Sequence, residues 1–323
     1  IELYHAPGET NDQIFVWLPN HKSLMPGDNI YKTFPNLYTI RGTSHRDVKG
    51  WINSLDRMKM FNPEFLFPSH TKPIIGKKEI DDALNIYRDA IQYIHDQTIR
   101  LMNQGLYPDQ IVEQIQLPDS IANSPYLYEF YGTVRWSVKS IFNGYLGWFG
   151  GNPSKLDPLT INEKAIRMSY LAGGNDKLLS ELRNAVKNDD MQWALELSDH
   201  LIALDYLIEE VKDLRVEALI YEGSRSANPN KRNYFLSSAY ELTNKIIDTS
   251  LPRSFTDEFL NQISLDTLFG VLSTRFDPEK HNGIDYSTCF KFNSGFSKNI
   301  ILRNNQDFFT KNFDDCIIEN SKN

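Results

Sequence analysis

The sequence predicts an α/β segment, an all-α segment and a final α+β segment, in that order. In residues 1–104, short apolar stretches of alternating polarity, typical of strands, occur between stretches with helical periodicity. In residues 105–251, apolar residues recur at three- and four-residue steps, as in amphipathic helices. Residues 252–323 begin with a helical pattern and continue with strand-like stretches rich in Phe and Asn. We therefore expect three domains with these boundaries.

The first segment begins with strands that are joined by tight turns. Residues 14–18 alternate as a half-buried strand does, with Ile14, Val16 and Leu18 on one side. Residues 20–22 then make a turn into a partner strand. The predicted third strand is residues 65–67, and the predicted helices are residues 46–60 and 78–104.

The second segment is a series of predicted helices. Pro108 starts the first and Pro118 ends it, because proline is tolerated at a helix start but lacks the amide that a helix interior needs. The helices that follow are paired, but they share no fixed repeat period. The other predicted helices are residues 129–146, 163–172, 175–188, 191–204, 209–222 and 233–247, and residues 264–276 in the third segment.

The composition excludes some classes of partner. The net charge is −8 and no run of Lys or Arg occurs, which argues against a general nucleic-acid or anionic-membrane partner. No stretch approaches the about 18 consecutive apolar residues of a membrane-spanning helix. Cys289 and Cys316 match neither a zinc knuckle nor a redox pair, so we expect two free thiols.

Three polar side chains stand at predicted strand ends. Glu9 follows a Pro-Gly turn, Asp28 follows a second Pro-Gly turn, and His70 comes shortly after the third strand. Carboxylate and imidazole ligands suit zinc or a similar borderline metal. A structural interpretation also stays open, because Glu9 and His70 could cap neighbouring backbone groups and Asp28 could stabilise the turn in which it lies.

The order of these motifs resembles the later half of the metal domain of the alkylsulfatases, a family of the metallo-β-lactamase superfamily. In that family the first of these three ligands is Glu, as at Glu9, rather than the His of lactamases. Residues 36–42 (Asn-Leu-Tyr-Thr-Ile-Arg-Gly) and 145–153 (Tyr-Leu-Gly-Trp-Phe-Gly-Gly-Asn-Pro) are also similar to the family. The family's His-x-His-x-Asp-His motif does not occur here and the chain opens on Ile1, so we expect it to be part of a longer protein.

The resemblance implies an identity for each segment. Residues 1–104 would be the later part of an αββα metallo-β-lactamase-like domain. Residues 105–251 would be the helical alkylsulfatase dimerisation domain, through which the protein forms a homodimer. Residues 252–323 would be a partial sterol-carrier-protein-like domain.

The resemblance also implies an activity, the metal-dependent hydrolysis of alkyl sulfate esters such as dodecyl sulfate surfactants to alcohol and sulfate. Two zinc ions would be held in part by Glu9, Asp28 and His70, and the remaining ligands would lie upstream of this chain. Two alternatives stay open: a metallo-β-lactamase-fold hydrolase of another ester or lactone, and a non-catalytic dimerisation fragment.

The family resemblance further implies which residues contact the substrate. An alkyl sulfate has an anionic head and an apolar tail, so its pocket needs a cation or amide donors and an apolar channel. Asn36, Tyr38 and Arg41 lie in the segment that resembles the family's pocket lining, and Arg41 is the candidate for contact with the sulfate. Tyr145 is a further substrate-binding candidate, for which packing in the core is the alternative.

One position departs from the family pattern. Where better-known bacterial alkylsulfatases carry Ser-His-Asn, with a histidine that protonates the departing sulfate, this chain carries Arg135-Trp136-Ser137. An indole cannot donate a proton at a useful pH. We therefore expect Arg135 and Arg41 to be the catalytic residues that stabilise the leaving sulfate by charge. Two alternatives stay open: a different acid, or a different substrate.

Overall fold

In the computed structural model, the chain forms two compact units, residues 1–246 and 247–323. The structure describes residues 1–243, 262–273, 277, 280, 286–292, 297–303 and 306–310. The predicted combination of a small mixed sheet with many helices is confirmed. Within the described ranges, no helix has both the length and the apolar character needed to cross a membrane.

The sheet of the first unit has five strands in the order β1-β2-β3-β4-β5. All neighbouring strands pair antiparallel except β3 and β4, which are parallel. The carboxyl ends of β3 and β4 therefore lie at one edge of the sheet, and the amino end of β2 lies at the same edge. The strands are β1 (Glu2–His5), β2 (Ile14–Leu18), β3 (Ser23–Met25), β4 (Phe65–Leu66) and β5 (Ile74–Ile75).

The strand register decides which side of each strand is buried. Trp17 pairs with Leu24, and Leu24 pairs with Leu66, so these three side chains share the face that lies in the core. The alternation predicted for the second strand is confirmed, since Phe15 is buried and its neighbour Ile14 is exposed. The opposite face, here called the open sheet face, carries the exposed side chains of Leu3, Ile14, Phe65 and Ile75.

Two helices, α1 (Val48–Met60) and α2 (Lys77–Asn103), pack with the buried face of the sheet. The side chain of Asp47 accepts a hydrogen bond from the Gly50 amide at 3.0 Å, so α1 begins at Val48 rather than at the predicted residue 46. Gly76 precedes α2 with a φ of 108°, which glycine adopts without strain.

The same core continues into the next three helices, α3 (Pro108–Gln114), α4 (Asp119–Ala122) and α5 (Val134–Leu146). Ile111 and Val138 are fully buried in one cluster with the sheet. The helix predicted to begin at residue 129 begins instead at Val134, because the Thr133 side chain caps it and accepts a hydrogen bond from the Trp136 amide at 3.1 Å.

A second hydrophobic cluster, with Leu182 and Leu201 fully buried, joins the helices that follow. The first of them begins with a capping box between Thr160 and Glu163. The last begins at Pro229 and not at the predicted residue 233, because Asn228 caps it; predicted residues 244–247 lie outside the described ones. These helices are α6 (Ile161–Ala172), α7 (Asn175–Lys187), α8 (Met191–Ala203), α9 (Ile208–Arg225) and α10 (Pro229–Leu242).

The second unit contains one described helix and an antiparallel sheet in the order β6-β7-β8. Cys289 is disulfide-bonded, so the expectation of two free thiols is wrong; sequence spacing does not show which sulfurs meet in space. Cys316 lies outside the described residues. The elements are α11 (Leu265–Ser273), β6 (Tyr286–Lys291), β7 (Ser297–Arg303) and β8 (Gln306–Thr310).

Candidate metal and substrate site

Glu9 is held by a turn that one buried amide organises. The turn joins β1 to β2 and closes through a hydrogen bond from the Ala6 amide to the Gln13 carbonyl at 2.8 Å. Asn29 is fully buried; its Nδ2 donates to the Ala6 carbonyl at 2.7 Å, and its Oδ1 accepts from the Glu9 amide at 3.2 Å. A Cβ atom on Gly8 would lie 2.1 Å from Asn29 Oδ1, so only glycine fits there.

Asp28 and His70 meet because β3 and β4 run parallel. Asp28 lies in a single turn of 3₁₀ helix, Gly27–Asn29, just after β3, and His70 lies shortly after β4. The Ser69 amide donates to the Gly27 carbonyl at 3.3 Å and ties the two loops together. His70 Nε2 lies 3.5 Å from Asp28 Oδ1. Glu9, before the amino end of β2, belongs to the same sheet edge.

Glu9 is engaged by a buried arginine that the sequence did not point to. Glu9 is only 7% exposed, and its Oε1 lies 3.0 Å from Nη1 of Arg46, which is 6% exposed. Arg46 also donates to the carbonyl of Asn36. Burial raises the pKa of Glu9; Arg46 opposes that shift, and the negative charge of Asp28 adds to it. Glu9 and Asp28 therefore interact electrostatically.

The residues of this edge fit part of a metal site. No group of three His, Cys, Asp or Glu side chains in the described part of the chain lies close enough to hold a metal ion. Asp28 and His70 nevertheless form a pair of suitable donors, and Asp28 Oδ1 is buried without a hydrogen-bond partner. The structure thus brings together two of the three predicted ligands, while the third, Glu9, is neutralised by Arg46.

Further buried polar atoms also lack a hydrogen-bond partner. They are Nε of Arg46, beside Glu9, and Oγ1 of Thr39. A buried polar atom left without a partner costs about 1–3 kcal/mol, so a group of them is typical of a functional site rather than of a core.

Aromatic rings connect the carboxylate edge to Arg41. The ring of Tyr31 lies 6.5 Å from that of His70 and 6.0 Å from those of both Tyr87 and Tyr131. The hydroxyl of Tyr131 accepts a hydrogen bond from Arg41 Nη1 at 3.1 Å. Burial, followed by the nearby charge of Glu9, holds the pKa of Tyr31 well above its usual value, so this phenol stays neutral.

A groove runs beside these residues, between residues 38–45 on one side and helices α5 and α10 on the other. It consists of three adjoining cavities of about 370, 630 and 320 Å³. The first two share Ile40 and Tyr234, and the last two share Tyr38 and Trp136. Volumes of this size are typical of small-molecule sites. We call this continuous feature the α10 groove.

The predicted substrate-binding residues lie in different places. Tyr38 and Arg41 line the α10 groove, whereas Asn36 is fully buried and lines none of its three cavities. Tyr145 lines none of these three cavities, and its hydroxyl forms a 2.8 Å hydrogen bond with Nε2 of the buried His95. Arg135 lines the groove and forms a 3.3 Å ion pair with an exposed glutamate of α3.

Two contributions to this region were missed in the sequence. The sequence placed Arg46 at the start of a predicted helix, just before the capping Asp47. Nothing else in the sequence indicated its contact with Glu9. The residues of α10 that line the groove, among them Lys231 and Tyr234, lie about 190 positions beyond the segment they face, and no local pattern relates the two. The contact of Arg46 with Glu9 and the position of α10 both result from the packing of residues that are far apart in the sequence.

Comparison with known proteins identifies relatives of the whole chain. Residues 107–245 match the family model described as alkyl sulfatase dimerisation. The chain is 39% identical over 302 residues to a linear primary-alkylsulfatase of Pseudomonas sp., covering 90% of this chain and 57% of that protein. It is 28% identical over 294 residues to an alkyl/aryl-sulfatase of Saccharomyces cerevisiae, covering 88% of this chain and 45% of that protein.

A solved structure of an alkylsulfatase is also similar to this chain over most of its length. The stereoselective inverting sec-alkylsulfatase Pisa1 from Pseudomonas sp. superposes with a TM-score of 0.84 at 26% identity, covering 95% of this chain and 49% of that chain. This chain therefore spans about half the length of the relatives it matches.

Proposed function

The chain belongs to the alkylsulfatase family, and on that premise we propose that the protein hydrolyses alkyl sulfate esters to an alcohol and inorganic sulfate. One observation carries the proposal at the level of the site: a sheet edge with Glu9, Asp28 and His70 is linked through Tyr31 and Tyr131 to Arg41 in an amphipathic groove. A metal-activated nucleophile and an anion-binding cation beside an apolar groove are what an alkyl sulfate requires.

Asp28 and His70 are the residues of this chain that would hold a zinc ion, with Glu9 at the same sheet edge as a second carboxylate. Bound zinc supplies a hydroxide at neutral pH by lowering the pKa of coordinated water toward about 7. We propose a binuclear centre, and its other ligands come from outside residues 1–323, since three donors are too few for two ions. Arg46 opposes the rise in pKa that burial causes in Glu9, and its ion pair orients the Glu9 carboxylate.

Arg41 and Asn36 would receive the sulfate head. Arg41 carries a fixed positive charge at one end of the groove, and its hydrogen bond to Tyr131 orients the guanidinium. Asn36 places its side-chain amide beside Glu9, to which it donates a hydrogen bond. Together they supply the donors that an oxyanion needs.

Charge, rather than a proton donor at position 136, would stabilise the leaving sulfate. Trp136 lines the groove at the junction of two cavities, where its indole offers an apolar surface and no acid. Arg135 is its neighbour and also faces the groove. Its ion pair with Glu113 is largely exposed and therefore weak, so the guanidinium is able to turn toward an anion.

The remaining parts of the chain support the same assignment. The open sheet face presents exposed apolar side chains, as expected if a second sheet of an αββα domain covers it. In α6, Tyr170 and Leu171 are exposed by 82% and 78%, and Ile166, one turn before Tyr170, by 52%; we propose that these side chains contribute to a homodimer of the helical domain. Residues 252–323 would be a partial sterol-carrier-protein-like domain.

The test is sulfate release from octyl sulfate by the complete protein, measured by ion chromatography together with metal content. We expect Asp28→Ala and His70→Ala each to lower turnover at least about 10–100-fold and to reduce bound metal. Glu64→Gln is the matched control, because its carboxylate forms an exposed ion pair with Lys22 and should be dispensable. Full turnover in both ligand variants would refute the proposal.

A further inference from the structure

Helix α10 of the dimerisation domain forms one wall of the α10 groove. Its residues Tyr234 and Phe235 lie across the largest of the three cavities from Tyr38 and Ile40. Trp136 of α5 closes the same cavity. Most of the side chains at this point are therefore aromatic or aliphatic, although the groove belongs to a polar surface.

The start of α10 is fixed in this position by one buried side chain. Asn228 is 6% exposed, and its Nδ2 donates to the carbonyls of Glu129 and Tyr131, both at 3.0 Å. Its Oδ1 accepts from the amides of Asn230 and Lys231 and so caps the helix. Because Tyr131 also holds Arg41, the same segment positions α10 and the cation at the end of the groove.

The charges on the groove favour an anionic ligand. Among the described residues, four cations, Arg41, Arg135, Lys139 and Lys231, line it against two carboxylates, those of Glu129 and Glu241, although the chain as a whole carries a net charge of −8. The carboxylate of Glu129, which also lines it, accepts a hydrogen bond from the Val134 amide at 2.7 Å and serves as a cap of α5. Lys231 lies 3.7 Å from a partly buried carboxylate of α9, and its ammonium is 5.5 Å from the centre of the Phe235 ring.

We propose that Tyr234 and Phe235 of α10 bind the apolar tail of an alkyl anion whose head lies at Arg41, so that the dimerisation domain selects the length of the alkyl chain. This inference rests on the proposed function for the identity of the substrate. The tail extends from Arg41 over Ile40, which two adjoining cavities share, into the aromatic part of the groove. Aromatic walls accept methylene groups without requiring polar partners from them.

Binding of alkyl sulfonates to the 323-residue chain tests the assignment. Sulfonates match the charge of a sulfate ester but resist hydrolysis, and chains of four, six and eight carbons stay below micellar concentrations at the levels used. Full burial of one methylene raises affinity about fourfold, so calorimetry should show a steep increase from butanesulfonate to octanesulfonate. Phe235→Ala and Tyr234→Ala should each reduce that increase to less than about twofold per methylene and leave butanesulfonate affinity within twofold.

Tyr170→Ala is the matched control, since Tyr170 is an exposed aromatic residue of α6 that lines none of the three cavities. In Tyr170→Ala, affinity should rise with the length of the sulfonate's alkyl chain as steeply as it does in the unmodified protein. Circular dichroism melts verify that each variant is folded. An unchanged dependence in the folded Phe235→Ala and Tyr234→Ala variants would overturn the assignment.

Turnover by the complete protein separates this inference from the proposed function. If Phe235→Ala flattens the binding series but the complete protein releases no sulfate from any alkyl sulfate, the groove binds alkyl anions and the proposed function fails. If the complete protein hydrolyses octyl sulfate and Phe235→Ala leaves the ratio of octyl to butyl turnover unchanged, the function stands and the role of α10 is refuted.

Discussion

Replacing Arg46 by methionine should destabilise the chain strongly, and the effect should depend on pH. Arg46 and Glu9 form an ion pair 3.0 Å apart in which both side chains are more than nine-tenths buried. Removing one partner of such a pair leaves a buried charge without compensation, which typically costs about 3–5 kcal/mol. We expect a loss of this size in the free energy of unfolding at pH 7.

The pKa of Glu9 decides how the stability loss in Arg46→Met changes with pH. Burial already raises its folded-state pKa, and without Arg46 the pKa should rise further. A carboxyl whose folded pKa exceeds its unfolded pKa favours folding below the unfolded value, and that contribution is lost as pH rises through the folded value. The Arg46→Met variant should therefore be closer to the unmodified chain at pH 4–5 than at pH 7, because its raised pKa favours the protonated form of Glu9 as the pH falls.

Urea unfolding of the 323-residue chain, followed by circular dichroism at both pH values, measures the effect. Arg183→Met is the matched control: its guanidinium forms a 2.7 Å pair with Glu210, but that pair is about half exposed, and the loss should stay below about 1 kcal/mol at either pH. The double variant Glu9→Gln with Arg46→Met should recover part of the loss. An equal loss at pH 4–5 and pH 7 would mean that Arg46 acts by packing alone and would refute the reasoning.

Three further predictions concern the metal, the dimer and the leaving group. In the complete protein, Asp28→Ala should remove more metal than any other single change in this chain, as measured by plasma emission spectrometry; full occupancy would contradict its place at the centre of the site. The double variant Tyr170→Glu with Leu171→Glu should convert a dimer of the chain into a monomer in sedimentation experiments, because it introduces charges into an apolar interface. If the variant is still a dimer, the interface lies elsewhere. Trp136→His should add an ionisation near pH about 6–7 to the rate profile on primary alkyl sulfates. Arg41→Ala should lower the turnover of alkyl sulfates more than the turnover of uncharged esters of equal chain length. If the pH profile is unchanged and Arg41→Ala reduces both turnovers equally, position 136 is structural.

Much of the local structure could be predicted from the sequence. Alternation over residues 14–18 predicted a strand, and helical periodicity placed α1, α2 and most of the later helices within a few residues. The errors lie at helix starts, such as Val134 and Pro229, where a side-chain cap decides the first residue. The motifs around Glu9, Asp28 and His70 were also visible, because turns before and after strands have local signatures.

Only the tertiary structure decided how these pieces meet. The parallel pairing of β3 and β4 brings Asp28 to His70, and the register of the sheet decides which side of β2 lies in the core. Packing places Arg46 against Glu9 and carries α10 to a segment about 190 residues earlier in the chain. Periodicity and turn chemistry report on neighbours within a few residues, whereas strand register and core packing depend on residues far apart in sequence. The sequence therefore determined the candidate ligands, and the fold determined the groups that surround them.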